Sequence, residues 1–431
     1  MRQTLSPVIE QADDTRTLRR FAPALALLAA AMLINYVDRG NLSVAGPLIK
    51  NELGLNASQL GILFAAFFVS YTAMQFVVGW LVDRFDVNRI LAGGFLIWSL
   101  ATATTGLLRG FVLLFAIRLI LGIGEAVALP ASSKILARHL PEHHRGFASG
   151  AVMAALRAGN AVGTFGAGYL MAKHGWRPVF IGIGLLSLLW LPAWSKWKPE
   201  ALSRSEQTSV CNIGFIEILQ QRAFWGTSLG HFSCNYLLYF MVTWLPSYLV
   251  LERHLSMTSM AKVAGLYYLV DAASAIATGF IQDYWIRQGR SPTMVRKSGM
   301  IAGFCVAAIA LPGCALAGAH AFTYWLMLAG AGCGMTSPGI LTFCQRLAGP
   351  RAVGTWYGAQ NGFANFAGIL CPALTGFVVD RTGNFVLPFA ITSMLCVVGG
   401  VAWTFIVGRI EPIKWTPEKR VAIAPVSLPA N

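Results

Sequence analysis

Two sets of opposite charges stand inside apolar stretches of this chain: Asp38 beside Arg39 in the first stretch, and Arg118 with Glu125 in the fourth. A charge near the middle of a bilayer costs roughly 2.5–3.5 kcal/mol on insertion scales, so ions in such places mark a path for a solute or for protons. A guanidinium offers a planar fork of donors that grips a carboxylate through two parallel hydrogen bonds, and it stays positive throughout. A carboxyl in an apolar cavity finds its charged form disfavoured, while a neighbouring arginine holds it ionised. Arg39 is therefore read as the grip for an acidic solute, with Arg118 as its companion, and Asp38 and Glu125 as proton carriers. An incoming carboxylate that takes the arginine frees the protein's own acid to accept a proton, and such coupling is reciprocal.

Plainer readings stand beside these. Arg39 could be a structural partner of Asp38, or reach to a helix end. Arg118 and Glu125 are seven residues apart and share one helix face, but two turns separate their heads. Arg118 then either tunes Glu125 electrostatically or pairs with it when both side chains bend. A monovalent anion carried with one proton moves no net charge. With two protons one positive charge enters, and the membrane potential contributes about 2.3 kcal/mol per 100 mV.

Neutral polar residues fill out the candidate site. Tyr71 and Gln75 lie four apart and can donate to a hydroxylated solute. Gln360 and Asn361 are similar candidates, and His231 can read a hydroxyl or carboxylate or titrate near neutrality. All five are also ordinary packing residues, the lone histidine most of all. Asp271 is either a third acid or a partner of Arg157, and nothing in the sequence ties the two together.

The elements that must position these groups are helices across a membrane. The 431 residues are 56% hydrophobic and only 12% charged, where a soluble domain carries about 25%. About twelve apolar stretches of roughly twenty residues are each long enough to cross a core of about 30 Å. The expected fold is an all-α polytopic membrane protein with twelve transmembrane helices in two pseudo-symmetric six-helix bundles. The expected divisions are an N-terminal tail at 1–21, a bundle at 22–195, a linker at 196–222, a second bundle at 223–409 and a C-terminal tail at 410–431. The tenth and eleventh spans are read at 321–347 and 354–379.

The net charge of +15 tempts a nucleic-acid reading, but its distribution argues against one. With the N-terminus inside, about 22 of the 33 Lys and Arg fall in cytoplasmic segments, which is the positive-inside bias. Both termini are expected in the cytoplasm, at the inner membrane, with no cleaved signal. The cysteines read as small buried hydrophobes, and His139, His143 and His144 as a loose loop group rather than a metal site.

The halves echo each other. Asn35-Tyr36 matches Asn235-Tyr236, and Gly79-Trp80-Leu81-Val82-Asp83 matches Gly279-Phe280-Ile281-Gln282-Asp283, both at an offset of 200. The chemistry is unequal, because Leu238-Tyr239 stands where the first half has Asp38-Arg39.

These residues carry a resemblance to the major facilitator superfamily over nearly the whole chain. GWLVDRFDVNR (Gly79 to Arg89) resembles that superfamily's loop between helices 2 and 3, with Asp86 where a second glycine is usual, and PEHHRG (Pro141 to Gly146) resembles its charged turn after helix 4. NYVDRGNLSVA (Asn35 to Ala45), YTAMQ (Tyr71 to Gln75), RLILGIGEAVALP (Arg118 to Pro130), TWLPSYL and NGFANFAG resemble the anion:cation symporter branch, which includes bacterial hexonate, hexuronate and glucarate proton symporters. The resemblance implies Asp83 and Arg84 as gating residues and supports Arg39 as the carboxylate grip. It leaves the solute open, since sugar-acid members often carry glutamine where His231 stands, and Arg157 and Asp271 occupy positions usually small or neutral.

The expected function is proton-coupled symport of an organic anion, a sugar acid, by alternating access. No cofactor is expected beyond the co-transported protons. The partners are the small anion and the lipid bilayer, the chain is a monomer, and neither an enzyme nor a nucleic-acid binder is expected. The alternatives are a symporter of phthalate-like or hydroxyphenyl acids and, from other classes, a non-transporting membrane sensor or a membrane enzyme.

Overall fold

In the computed structural model, residues 7–140, 142–199, 215–318, 321–336, 339–408, 410–413 and 415 are described. They contain helices and no strand. The first half comprises α1 (Pro7–Leu53), α2 (Ala57–Arg84), α3 (Val87–Thr105), α4 (Phe111–Glu125), α5 (Ala128–His139), α6 (Glu142–His174), α7 (Trp176–Ser187) and α8 (Trp190–Trp197). The short α9 (Phe215–Leu219) precedes α10 (Arg222–Ser247), α11 (Met257–Arg287), α12 (Pro292–Leu316), α13 (Phe322–Thr336), α14 (Gly339–Thr382) and α15 (Val386–Val401). A π-helical turn ends α10 and another ends α15.

Among the described residues fifteen helices make twelve crossings: two crossings are each divided between two helices, α14 turns a corner, and the short α9 lies outside them. α4 with α5 is the fourth crossing, and α7 with α8 the sixth. α13 and the start of α14 form the tenth, and the remainder of α14 the eleventh. The corner falls at Gly349, φ +66° and ψ 176°, just before Pro350 and between the two spans the sequence separates. Nine segments among the described residues are long and apolar enough to cross a membrane on composition alone. α3, α6 and the tenth crossing complete the set. α6 carries Arg157 and Asn160 along its length. Residues 7–21, read as a polar tail, continue α1 as helix.

The repeat legible in the sequence is legible in space. α2 and α11 begin 200 positions apart, each behind a side-chain cap: Asn56 Oδ1 accepts the Gln59 amide at 2.8 Å, and Ser256 Oγ accepts that of Ser259 at 3.2 Å. Each half packs chiefly within itself, and the halves meet along α1, α2 and α6 against α10, α14 and α11 respectively. Apolar residues such as Val112, Leu269 and Phe280 cover the outside, while Asp38, Arg118, Glu125 and Asp271 are buried. A helix bundle in lipid sorts its residues this way.

The halves are joined tightly at the end that carries the α1–α2 loop. Asp380, near the end of α14, accepts the Ala57 and Ser58 amides at the start of α2 at 2.8 and 2.7 Å. These donors lack intrahelical acceptors, and a carboxylate suits the positive end of a helix dipole. Backbone meets backbone beside this cap. A Cβ on Gly61 would stand 2.4 Å from the Pro372 carbonyl, and one on Gly376 the same distance from the Ala57 carbonyl. No larger residue allows that approach.

Candidate functional site

α1 places Arg39 near mid-crossing, and α4 ends on Glu125 at a similar depth. Arg39 Nε donates to Glu125 Oε2 at 2.9 Å, with side chains 8% and 0% exposed. The guanidinium also lies against three rings: Tyr71 at 4.5 Å, Tyr36 at 4.6 Å and Phe67 at 5.2 Å. Desolvated cation–π contacts are worth about 2 kcal/mol, so these rings help hold a cation away from water. Arg118 rests over Phe67 at 5.0 Å, with its Nε unpartnered. One ring therefore touches both arginines.

Glu125 closes α4 just before a proline interrupts the hydrogen-bond ladder. Pro130 has no N–H, so the carbonyl of residue 126 loses its i+4 donor, while Ala126 and Val127 keep helical backbone angles. The chain turns at 126–127 and resumes as α5. Gln75 Nε2 donates to that freed Ala126 carbonyl at 3.4 Å. Gln75, read from sequence as a solute donor, thus braces the break next to Glu125. Tyr71, one turn earlier, stacks on Phe67 and on Arg39.

Asp38 is buried at 1% exposure, accepts from Asn41 Nδ2 at 3.3 Å and leaves Oδ2 without a partner. Glu125 and Arg118 are its charged neighbours. The four ions are thus brought together, with a different pairing from the one the helix spacing suggested. Glu125 bonds Arg39, 86 positions away, rather than Arg118 on its own helix.

A cavity opens on this cluster between the halves. Tyr36, Arg39 and Ser43 of α1 and Arg118 of α4 line it with Phe64, Phe67 and Phe68 of α2. Asn160 of α6 and Tyr239 and Thr243 of α10 close it from other sides. Tyr239 stands 200 positions after Arg39, so equivalent places of the two repeats face one cavity. Its hydroxyl donates to Asn365 Oδ1 at 2.6 Å, and its ring meets Phe68 at 4.4 Å.

The other candidates lie elsewhere. His231 Nδ1 is 3.3 Å from Gln360 Nε2, and Gln360 Oε1 accepts from Trp356 Nε1 at 3.1 Å and Cys344 Sγ at 3.0 Å. Both residues are buried and bonded to protein rather than lining the cavity. Asn361 is half-buried and its carbonyl accepts from Asn365 Nδ2 at 2.8 Å. The Asp83 side chain lies outside the described residues, as do those of Pro141 to Gly146, and Arg84 is exposed at the end of α2. Arg157 and Asp271, which the sequence leaves unconnected, meet at 3.1 Å between α6 and α11.

The family model described as Major Facilitator Superfamily matches residues 28–369 and 292–429. A hexuronate transporter of Bacillus subtilis (strain 168) is 30% identical over 424 residues, covering 94% of this chain and 98% of that protein. A probable L-galactonate transporter of Escherichia coli (strain K12) is 30% identical, covering 91% of each. A bacterial homologue of the human lysosomal transporter Spinster, solved in an inward-facing and occupied conformation, superposes with a TM-score of 0.74 at 18% identity, covering 88% of this chain and 95% of that one. Helical crossings, duplicated halves and a charged cavity between them agree with the family match: this chain belongs to the major facilitator superfamily and is a membrane transporter, not an enzyme.

Proposed function

We propose that this protein is a proton-coupled symporter that brings an organic anion, a sugar acid of the hexonate, hexuronate or glucarate kind, into the cell by alternating access. The observation that carries the reading is the buried Arg39–Glu125 pair, whose arginine lines an inter-bundle cavity. An incoming carboxylate competes with Glu125 for the Arg39 fork. Glu125, displaced into an apolar pocket, then favours its protonated form. Solute and proton load together, and neither is released without the other. Asp38 is the second proton carrier, and Arg118 the second positive charge facing the solute.

The relatives' names support a sugar acid, and the basic residues near the chain ends support termini on the cytoplasmic side of an inner membrane. Under that orientation the end sealed by Asp380 faces outward. Asp83 and Arg84 act as gate residues at the opposite end. His231 and Gln360 contribute through the buried network they form with Trp356, and Asn361 by holding Asn365, which Tyr239 bonds.

The rings of Tyr36, Phe64, Phe67, Phe68 and Tyr239 around the cavity also suit a second reading, an aromatic carboxylate. One experiment separates the two. Purified protein in proteoliposomes with an acidic exterior is offered labelled hexonates, hexuronates and glucarate against phthalate and hydroxyphenylacetate. Accumulation of a sugar acid that a protonophore abolishes supports the first reading, and accumulation of aromatic acids alone supports the second. Uptake that ignores the pH gradient overturns proton coupling, and no uptake or counterflow of any acid overturns both.

A further inference from the structure

The Arg39–Glu125 pair has a counterpart. Arg157 Nη1 donates to Asp271 Oδ2 at 3.1 Å. Each pair joins one guanidinium to a single carboxylate oxygen, and each leaves the other oxygen, Glu125 Oε1 or Asp271 Oδ1, buried with no second cation on it and only a neutral side chain near the carboxylate, Asn35 or Cys333 respectively. A pair serving only as a staple gains by using both oxygens, since a half-satisfied buried carboxylate carries a large desolvation cost. Both arginines also lie within electrostatic reach of Tyr36. Arg39 lies 4.6 Å from the Tyr36 centroid, and Arg157 is an electrostatic neighbour of the same residue. Asn160 lines the cavity one turn along α6 from Arg157 and on the same helix face. The Arg157 side chain is 27% exposed where that of Arg39 is 8%, so it is the more accessible of the two.

We propose that Arg157 is a second anion grip of this cavity, that Asp271 is the group it exchanges for a solute's second acidic group, and that the carrier prefers organic dianions. The inference rests on the reading of Arg39 as the grip for the first carboxylate and names the solute class more closely.

Charge balance supports it. Asp38, Glu125 and Asp271 offset Arg39, Arg118 and Arg157, so the cluster as drawn is neutral. A bound dianion adds two negative charges, and two protons taken up by the cluster's acids, Asp271 among them, remove them. A dianion thus travels with two protons and no net charge. The groups facing Asp271 are Arg157 from α6, Cys234 from α10, Cys333 from α13, and Tyr267 and Tyr268 from its own helix. Thiols and phenols in such surroundings are neutral at pH 7. Once Arg157 turns to the solute, Asp271 has no charged partner among these groups, and taking a proton is its way to stay buried.

The test uses the purified full-length protein and two matched pairs of acids that differ by one carboxylate: gluconate with glucarate, and benzoate with phthalate. Affinity is read by thermal-shift titration, and protons bound per solute by a pH dye in weak buffer. The expected result is a preference for the diacid of at least one pair by about tenfold or more, with one additional proton bound relative to its monoacid. Arg157→Gln brings that preference below about twofold and removes the additional proton. Asp271→Asn removes the additional proton while keeping the preference. Arg157→Lys, which retains charge without the fork, covers a glutamine variant that does not fold, and it weakens the preference without erasing it. Equal or tighter binding of both monoacids by the wild type overturns the inference and leaves organic-anion transport standing, as does an Arg157 variant that weakens both acids by the same factor. Binding of none of the four also overturns the inference, while uptake of a hexuronate in the proteoliposome assay would still uphold the proposed function.

Discussion

Arg39 meets one carboxylate oxygen and three aromatic faces, and it carries the sharpest consequences. Arg39→Ala removes the fork and leaves Glu125 buried without its partner. Charge-assisted hydrogen bonds contribute about 1.5–3 kcal/mol, so solute affinity should fall by at least tenfold. Calorimetric titration of the purified variant checks this, and an unchanged dissociation constant removes Arg39 from the solute site. Glu125→Gln keeps the shape of the pair and discards the exchangeable proton. Accumulation driven by a pH gradient should disappear while solute counterflow persists, and normal accumulation places the proton elsewhere. The residue types were legible in the sequence, since buried ions in apolar runs announce themselves. Their pairings were not. Glu125 is 86 positions from Arg39 and Arg157 is 114 from Asp271, and only the reach of the Arg39 side chain from α1 to the end of α4 and the packing of α6 on α11 bring them together. The aromatic collar was hidden for another reason. In a chain with 26 phenylalanines, one more ring beside an arginine carries no signal.

Among the elements, the break between α4 and α5 shows how a helix is interrupted to serve a site. Pro130 could be read from sequence as a helix disturbance, but the donor that answers it, Gln75, lies on another crossing. Gln75→Leu leaves the Ala126 carbonyl without that partner, at an expected cost of about 1–3 kcal/mol. A melting temperature lower by a few degrees in detergent measures the effect, and an unchanged one shows that the bond does not support the break. The cap that Asp380 places on α2 spans the two halves. A carboxylate at a helix N-terminus is worth about 0.3–1 kcal/mol, up to ~2 kcal/mol when partly buried. Asp380→Ala should therefore move the conformational balance several-fold towards opening at the loop end. Spin labels on either side of that end, read by pulsed dipolar spectroscopy, would register the longer distance. An identical distribution would show that the main-chain contacts hold the end closed by themselves.

For the whole molecule, the 200-residue offset predicts more than a shared architecture. It brings α2 and α11 to the same end with the same kind of cap and sets Arg39 and Tyr239 around one cavity. The division of labour follows: the first half supplies most of the ions and most of the rings around them, and the second supplies Tyr239, amides and one carboxylate. The positive-inside distribution also sets a direction. In vesicles of known sidedness, proteolysis or antibody binding should reach tags on both termini only from the cytoplasmic face, and access from the outer face would reverse the orientation proposed above. The number of crossings was readable because it depends on composition summed over many residues, and the duplication because short motifs recur at one offset. The closed state of the loop end was not, because it depends on two glycines whose neighbours are more than 300 positions away in sequence.

Those two glycines have a consequence of their own. Where Gly61 meets the Pro372 carbonyl and Gly376 that of Ala57, the plug is main chain, which has no rotamers to flicker. A barrier of long side chains would admit a wavering file of water, along which hydronium could short-circuit the gradient that the carrier spends. Rigid plugging of this kind lets an idle carrier sit in an energised membrane with little leakage.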